Sequence, residues 1–160
     1  MILPILTHPN PNLRRKAEPI ASFRFNSDSL RETIKNMLDS LKAQKNGIGI
    51  AAVQVGIKER IILVDLGREG IVAFLNPEII SRSKKMIEFE EGCFSVPDIY
   101  GIVNRHRSVT VKAVSLEGKE RTLKLKGLYS VVFQHEIDHL DGILFIDKMI
   151  RKTNGTESAI

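Results

Sequence analysis

Near its C-terminal end the chain reads QHEIDHLDG, Gln134 to Gly142. On a helix, His135 and His139 stand one turn apart on one face, so two imidazoles can reach a single cation. Glu136 follows the first histidine, rotated off the ligand face. There it can take a proton from a water without being a ligand itself. A five-residue pattern with two free positions also arises by chance, so alone it leaves an ordinary charged helix as an equal reading. A hydrolytic metal centre needs a third protein ligand and one open position. Cys93, in FEEGCFSVP, is the strongest candidate, because a thiolate is a soft, high-affinity donor. A lone cysteine is more often a small buried hydrophobe, although Gly92 and Ser95 favour a turn here. Asp138 is expected to face away from the histidines into solvent, and His8 and His106 to be surface or structural.

A second stretch, GIGIAAVQVG from Gly47 to Gly56, matches G-x-G-x-x-A, the dinucleotide fingerprint. Its context refuses that reading, since the fingerprint must follow a strand and open a helix. Here it follows a helix, with no room for another before RIILVDL. The glycines around Ile48 are instead expected to let another backbone approach closely. Gln54 is the one long polar side chain in this apolar run. It either solvates an edge or aims its amide N–H into a site as an oxyanion donor.

The elements that must position these residues follow from periodicity. Leu30, Ile34, Met37, Leu38 and Leu41 share one helical face, with Ser29 and Glu32 as a capping box and Gly47 as the stop. Strands are expected at RIILVDL, IVAFLNP, MIEFEE, SVTVKAV and RTLKLKG, with Gly67, Gly70, Gly101 and Gly118 as turns. GLYSVVFQHEIDHL reads as a second helix that buries Leu128, Val131, Val132, His135 and His139 on one stripe. The fold class is therefore α+β: mostly antiparallel short sheets packed around a C-terminal-half helix bearing HExxH, with one N-terminal-half helix. One domain spans 1–150, and 151–160 reads as a short polar, frayed tail.

The 160 residues suffice to bury a core without staples. The net charge of +5 suits an anionic partner, but the cations are scattered along the sequence and no basic block with interleaved aromatics appears. One cysteine excludes an intrachain disulfide and fits a reducing compartment. The start, MILPILTHPNPN, lacks the basic and long apolar regions of a signal peptide, and no apolar run reaches membrane-span length.

Taken together, GIGIAAVQ, EGCFS and QHEIDHLDG, in that order, resemble the three motifs of peptide deformylases, and the resemblance runs from HPNPNLRRKAEPI to about Met149. It implies that Cys93, His135 and His139 ligate a divalent metal, usually Fe²⁺, with Zn²⁺, Ni²⁺ or Co²⁺ also accommodated. Glu136 matches the general acid/base, and Gln54 and the Phe94 backbone N–H match the oxyanion donors. Ile48, Gly49 and Gly92 match segments that bind an extended substrate backbone. Phe89, Leu128, Val131 and Val132 match the lining of the methionine pocket. The implied reaction removes formate from formyl-methionyl nascent peptides in a bacterial-type cytoplasm, an organellar mature form staying open, with no membrane and no direct nucleic-acid recognition. Phe94 replaces the usual Leu after the cysteine, which leaves its N–H in place and alters the rim. Tyr100 stands at a substrate-contacting position where many members carry Arg, so a charged contact there is not carried over. The tail is shorter than the helical extension that in some members contacts the ribosome, and transient ribosome contact stays open.

Two other classes compete. A zinc endopeptidase on the same helix would take its third ligand downstream, where only Asp141 and Asp147 follow. A basic RNA- or ribosome-binding module with a structural metal would keep its function without Glu136.

Overall fold

The computed structural model describes residues 1–155. Two α-helices, α1 (Asp28–Lys42) and α2 (Leu128–Leu140), frame a five-stranded antiparallel sheet among these residues. In spatial order that sheet comprises β1 (Gly49–Ala51), β2 (Ile61–Asp65), β3 (Ile71–Arg82), β6 (Ser108–Val114) and β7 (Glu120–Lys126). A second antiparallel sheet holds β4 (Met86–Cys93), β5 (Val96–His106) and β8 (Met149–Thr153). This is the α+β architecture expected, with the HExxH helix at its centre.

The apolar run IILV in β2 is buried on both faces because a helix covers each side of the sheet. Ile62, Val64, Phe74, Val109 and Val111 pack with Val132, Phe133 and Ile137 of α2. Ile61, Leu63 and Leu75 pack on the opposite side with Leu30, Met37 and Leu41 of α1. Helix α2 is thereby enclosed, and Gln134, His135, Glu136 and His139 are buried with it. Polar groups so placed need partners. Gln134 answers this locally: its amide donates to the His106 carbonyl at 2.9 Å and accepts from the His106 N–H at 3.1 Å.

Several local expectations are corrected. The N-cap of α1 is Ser27, whose hydroxyl accepts from the Leu30 N–H, while Ser29 lies inside the helix. The helix ends at Lys42 with Ala43 as its cap, well before Gly47. Gly101 is not a turn but a buried residue in mid-β5. The eleven residues of β5, together with β1 and β8, were hidden by Pro97, Gly101 and short length, which break the alternation that marks a strand. The polar run from Arg151 begins as strand, since Arg151 and Lys152 pair with Ile102 and Gly101. The frayed tail expected further on falls, for 156–160, outside the described residues. Among the described residues, no helix is long and apolar enough to cross a membrane.

Candidate active site

Strands β4 and β5 are joined by a tight turn at Phe94 and Ser95, with Cys93 paired to Val96 across it. The turn carries Cys93 to the face of α2 where His135 and His139 project. One potential donor atom from each of the three lies within 4.8 Å of the others, and Cys93 Sγ is 3.2 Å from His139 Nε2. Cys93 and His135 border a cleft of about 390 Å³ also lined by Ile48, Gly49, Gln54, Gly92, Phe94, Tyr100, Val132 and Glu136. The 47–55 segment supplies the facing wall: β1 is an edge strand, and a 3₁₀ turn at Ala52–Val55 follows it. The N-terminal strand-like segment holds both walls, because the Leu6 N–H donates to the Gln54 carbonyl and the His8 N–H to the Ser95 carbonyl, each at 2.7 Å.

Gln54 does not solvate an edge. It is buried, and its amide oxygen accepts from the Ala51 N–H at 2.8 Å. That bond fixes the flip of the amide, so Nε2 reaches towards Ser95 Oγ at 3.2 Å and Cys93 Sγ at 3.5 Å. The glycines of this stretch leave room for neighbouring side chains. A Cβ on Gly49 would come within 2.7 Å of Glu136 Oε1, and one on Gly47 within 3.0 Å of the Phe94 ring. Phe94 therefore packs its ring against Gly47 and the α1 core while also lining the cleft. Gly49→Ala should displace the Glu136 carboxylate. The expected result is a fall in turnover of about tenfold to hundredfold at unchanged metal content, measured by formate release and metal analysis.

A buried ionic network with little signal in the sequence stands behind these three side chains. The Arg105 guanidinium donates to both oxygens of Glu91, at 2.7 and 2.8 Å, and to Asp138 at 2.6 Å. Lys148 donates to Asp138 at 2.9 Å. Asp138 is thus an ion-pair partner, not a solvated side chain as expected. His135 Nδ1 lies 2.7 Å from Glu91 Oε1. Donation from Nδ1 leaves Nε2 as the nitrogen facing the cleft. The only sequence signal for Glu91 was a charge beside Gly92 at the end of a strand; nothing marked Arg105. His106, as expected, is structural, with Nδ1 at 2.8 Å from the Ser83 carbonyl, and His8 is exposed.

The electrostatics follow from burial and these partners. Burial raises the Glu91 carboxyl, but hydrogen bonds from Arg105 and His135 outweigh it and bring its pKa down to about 2. Burial pushes His135 down, yet Cys93 and Glu91 reverse this and hold it well above the ordinary value. Burial and the neighbouring His135 push His139 well below its ordinary value, so it stays neutral. Burial, with the Glu91 charge adding to it and His135 and Arg105 opposing, lifts Glu136 to about 7. A thiol, a neutral imidazole and a second imidazole in surroundings that favour positive charge fit a divalent cation by donor type. Among the described residues, Glu136 Oε2 is a buried oxygen with no hydrogen-bond partner, facing this same space.

Of the residues expected to line a methionine pocket, Val132 borders the cleft. Val131 is fully buried, Leu128 is exposed at the first position of α2, and Phe89 is half-buried on β4; none of these three lines it. The helix angle explains this, because Val132 precedes His135 and Glu136 on the cleft side while Leu128 sits a turn further out. Gln44, Lys45, Asn46, Asp98 and Ile99 complete the rim and carried no recognisable signal.

The family model described as polypeptide deformylase matches residues 2–155. A peptide deformylase from Halothermothrix orenii is 47% identical over 143 residues, covering 89% of this chain and 90% of that protein. The crystal structure of the Thermotoga maritima peptide deformylase superposes with a TM-score of 0.87 at 35% identity, over 94% of this chain and 99% of that one. A class I type b peptide deformylase from Acinetobacter baumannii, solved with Met-Ala-Ser bound, gives a TM-score of 0.87 at 35% identity over 93% of this chain and 99% of that one. The match spans nearly the whole of each chain and includes the cleft and the helix beneath it, so the chain belongs to the peptide deformylase family.

Proposed function

We propose that Cys93, His135 and His139 hold one divalent cation and that Glu136, Gln54 and the Phe94 N–H carry out the deformylation around it. The protein is a deformylase, which removes the N-formyl group from nascent polypeptides. The observation that supports the residue assignment is the convergence of one thiol and two imidazoles beside a buried, unpartnered carboxylate. Bound there, the cation supplies Lewis-acid polarisation and lowers the pKa of a water towards neutrality.

The chain's own residues do the rest. Glu136, with a pKa near neutrality, accepts the proton of the attacking water and returns it to the leaving amine. The Gln54 amide, locked by Ala51 and Ser95, donates to the oxyanion without reorganising. The Phe94 N–H at the hairpin turn is the second donor. The β1 edge at Gly49 and the preceding Ile48, with Gly92 also lining the cleft, aligns the substrate backbone as an added strand, and Val132 contacts the methionine side chain. Enclosure between these walls admits a formyl group and excludes bulkier amides.

Fe²⁺ is the ion we assign, with Zn²⁺, Ni²⁺ and Co²⁺ compatible with the same donors. An oxidisable thiolate in the site makes anaerobic preparation necessary. The partners are formyl-methionyl nascent peptides in the cytoplasm. The test is anaerobic metal analysis with formate release from formyl-Met-Ala-Ser on the same sample; a metal-replete protein that leaves this peptide intact overturns the reading, and casein cleavage favours an endopeptidase. Gln54→Ala should lower kcat by about 10²–10³-fold with little change in metal content, read from steady-state kinetics.

A further inference from the structure

Tyr100 lies on β5 and lines the cleft. Two glycines let the C-terminal strand close around it. At Gly101 a Cβ would overlap Met149 Sδ and approach the Arg151 carbonyl oxygen to 2.8 Å. No other residue fits between β5 and β8 at this point. Beyond the strand, Gly155 adopts φ +79°, and a Cβ there would meet the Tyr100 ring carbons Cδ2, Cγ and Cε2 at 2.7, 2.8 and 2.9 Å. Tyr100 and Thr153 are cross-strand partners, so the chain runs along the Tyr100 backbone and then folds over one side of its ring.

We infer that Thr153–Gly155 is a positioning segment that presses Tyr100 into place as a fixed wall of the cleft, and that this wall selects substrates by the residues following the methionine. The inference rests on the cleft being the peptide site. The wall is neutral and aromatic, so it contributes a flat surface for apolar side chains and a π-face for cationic ones. Lys45 and Asp98 elsewhere on the rim offer one charge of each sign, and the apolar Ile99 and Pro97 line the cleft together with the ring. A formyl-methionyl dipeptide is too short to gain much from it. A longer peptide lying extended along β1 has side chains to place against it. A ring fixed in advance costs such a peptide no ordering entropy on binding.

Gly155→Ala supplies the test, since the added methyl meets the ring at under 3 Å and must displace it. KM for formyl-Met-Ala-Ser should rise roughly fivefold with kcat unchanged, while both constants for formyl-Met-Ala stay at their wild-type values. Added to Tyr100→Ala, the same substitution should have no further effect, because the methyl then has no ring to displace. Equal changes for both peptides, no change for either, or an effect that persists without the ring would each overturn the inference. Tyr100→Ala alone gives a reading independent of how well Gly155→Ala folds: it should erase the wild-type preference for the tripeptide, and a preserved preference also overturns the inference. Release of formate from formyl-Met-Ala by the wild type reports separately on the cleft as the peptide site.

Discussion

Replacing Glu136 by Gln should abolish formate release almost completely, by about 10²–10⁴-fold in kcat, while the protein stays folded and keeps its metal. The substitution preserves shape, so the packing against Gly49 survives. What it removes is the ability to carry a proton. Glu136 is buried within α2, one residue from His135, and its Oε2 has no hydrogen-bond partner among the described residues. A buried carboxylate without a partner is costly, and the fold bears that cost at a position facing the cleft. Its pKa of about 7 places it where it can both take and return a proton near neutrality. Steady-state kinetics on formyl-Met-Ala-Ser alongside metal analysis of the same preparation check the prediction. Substantial turnover by the metal-loaded Gln variant would remove Glu136 from the mechanism, and a binding module would be indifferent to the change.

Glu91→Ala should be the most destabilising single substitution near the site. It strips Arg105 of a two-point partner and His135 of its Nδ1 acceptor, all three groups being buried. Breaking one member of a buried ion pair costs about 3–5 kcal/mol, because the remaining charge is left unpaired in the interior. Loss of the carboxylate behind a histidine ligand also weakens metal affinity by about 10–100-fold. The same residue sets an acid limit. Its folded pKa of about 2 lies below the ordinary 4.5, so its contribution is complete above pH 4.5 and is lost as pH falls through 2. That interval corresponds to about 3 kcal/mol. Urea unfolding of chelator-treated protein across this range should show a steep acid branch in the wild type and a shallow one in Glu91→Ala. Parallel branches would mean that Glu91 does not couple folding to protonation.

The two halves of this site differ in how they are written into the chain. The histidine pair was legible because helical spacing alone puts His135 and His139 on one face, and Cys93 because it is the single thiol in a Gly- and Ser-flanked turn. Both helices and five of the strands were legible from apolar periodicity. Strand β5 was not, since Pro97 and Gly101 interrupt a pattern that pairing with β4 and β8 enforces from outside. The α1 cap was misplaced by two residues because Ser27 and Ser29 are equivalent in type, and only the backbone turn before Asp28 distinguishes them.

Glu91 looked like any strand-end charge. Its role depends on Arg105, fourteen positions away, and on His135, forty-four away, and no local rule links them. Asp138 was read as solvated for the same reason: its partner Arg105 comes from the other sheet. The glycines of GIGIAAVQ were recognisable as sites of close approach, but only the packed structure reveals that Glu136 and Phe94 fill the space. By itself, then, the sequence determined the candidate donor residues, the helix that carries two of them and the chemistry those residue types suit, because these depend on residue type and short spacing. Tertiary structure alone decided which histidine nitrogen faces the cleft, which way the Gln54 amide points, and how Tyr100 is held by the C-terminal strand. Each of those depends on hydrogen bonds or contacts between segments far apart in the chain, and such contacts exist only once the core has brought the segments together.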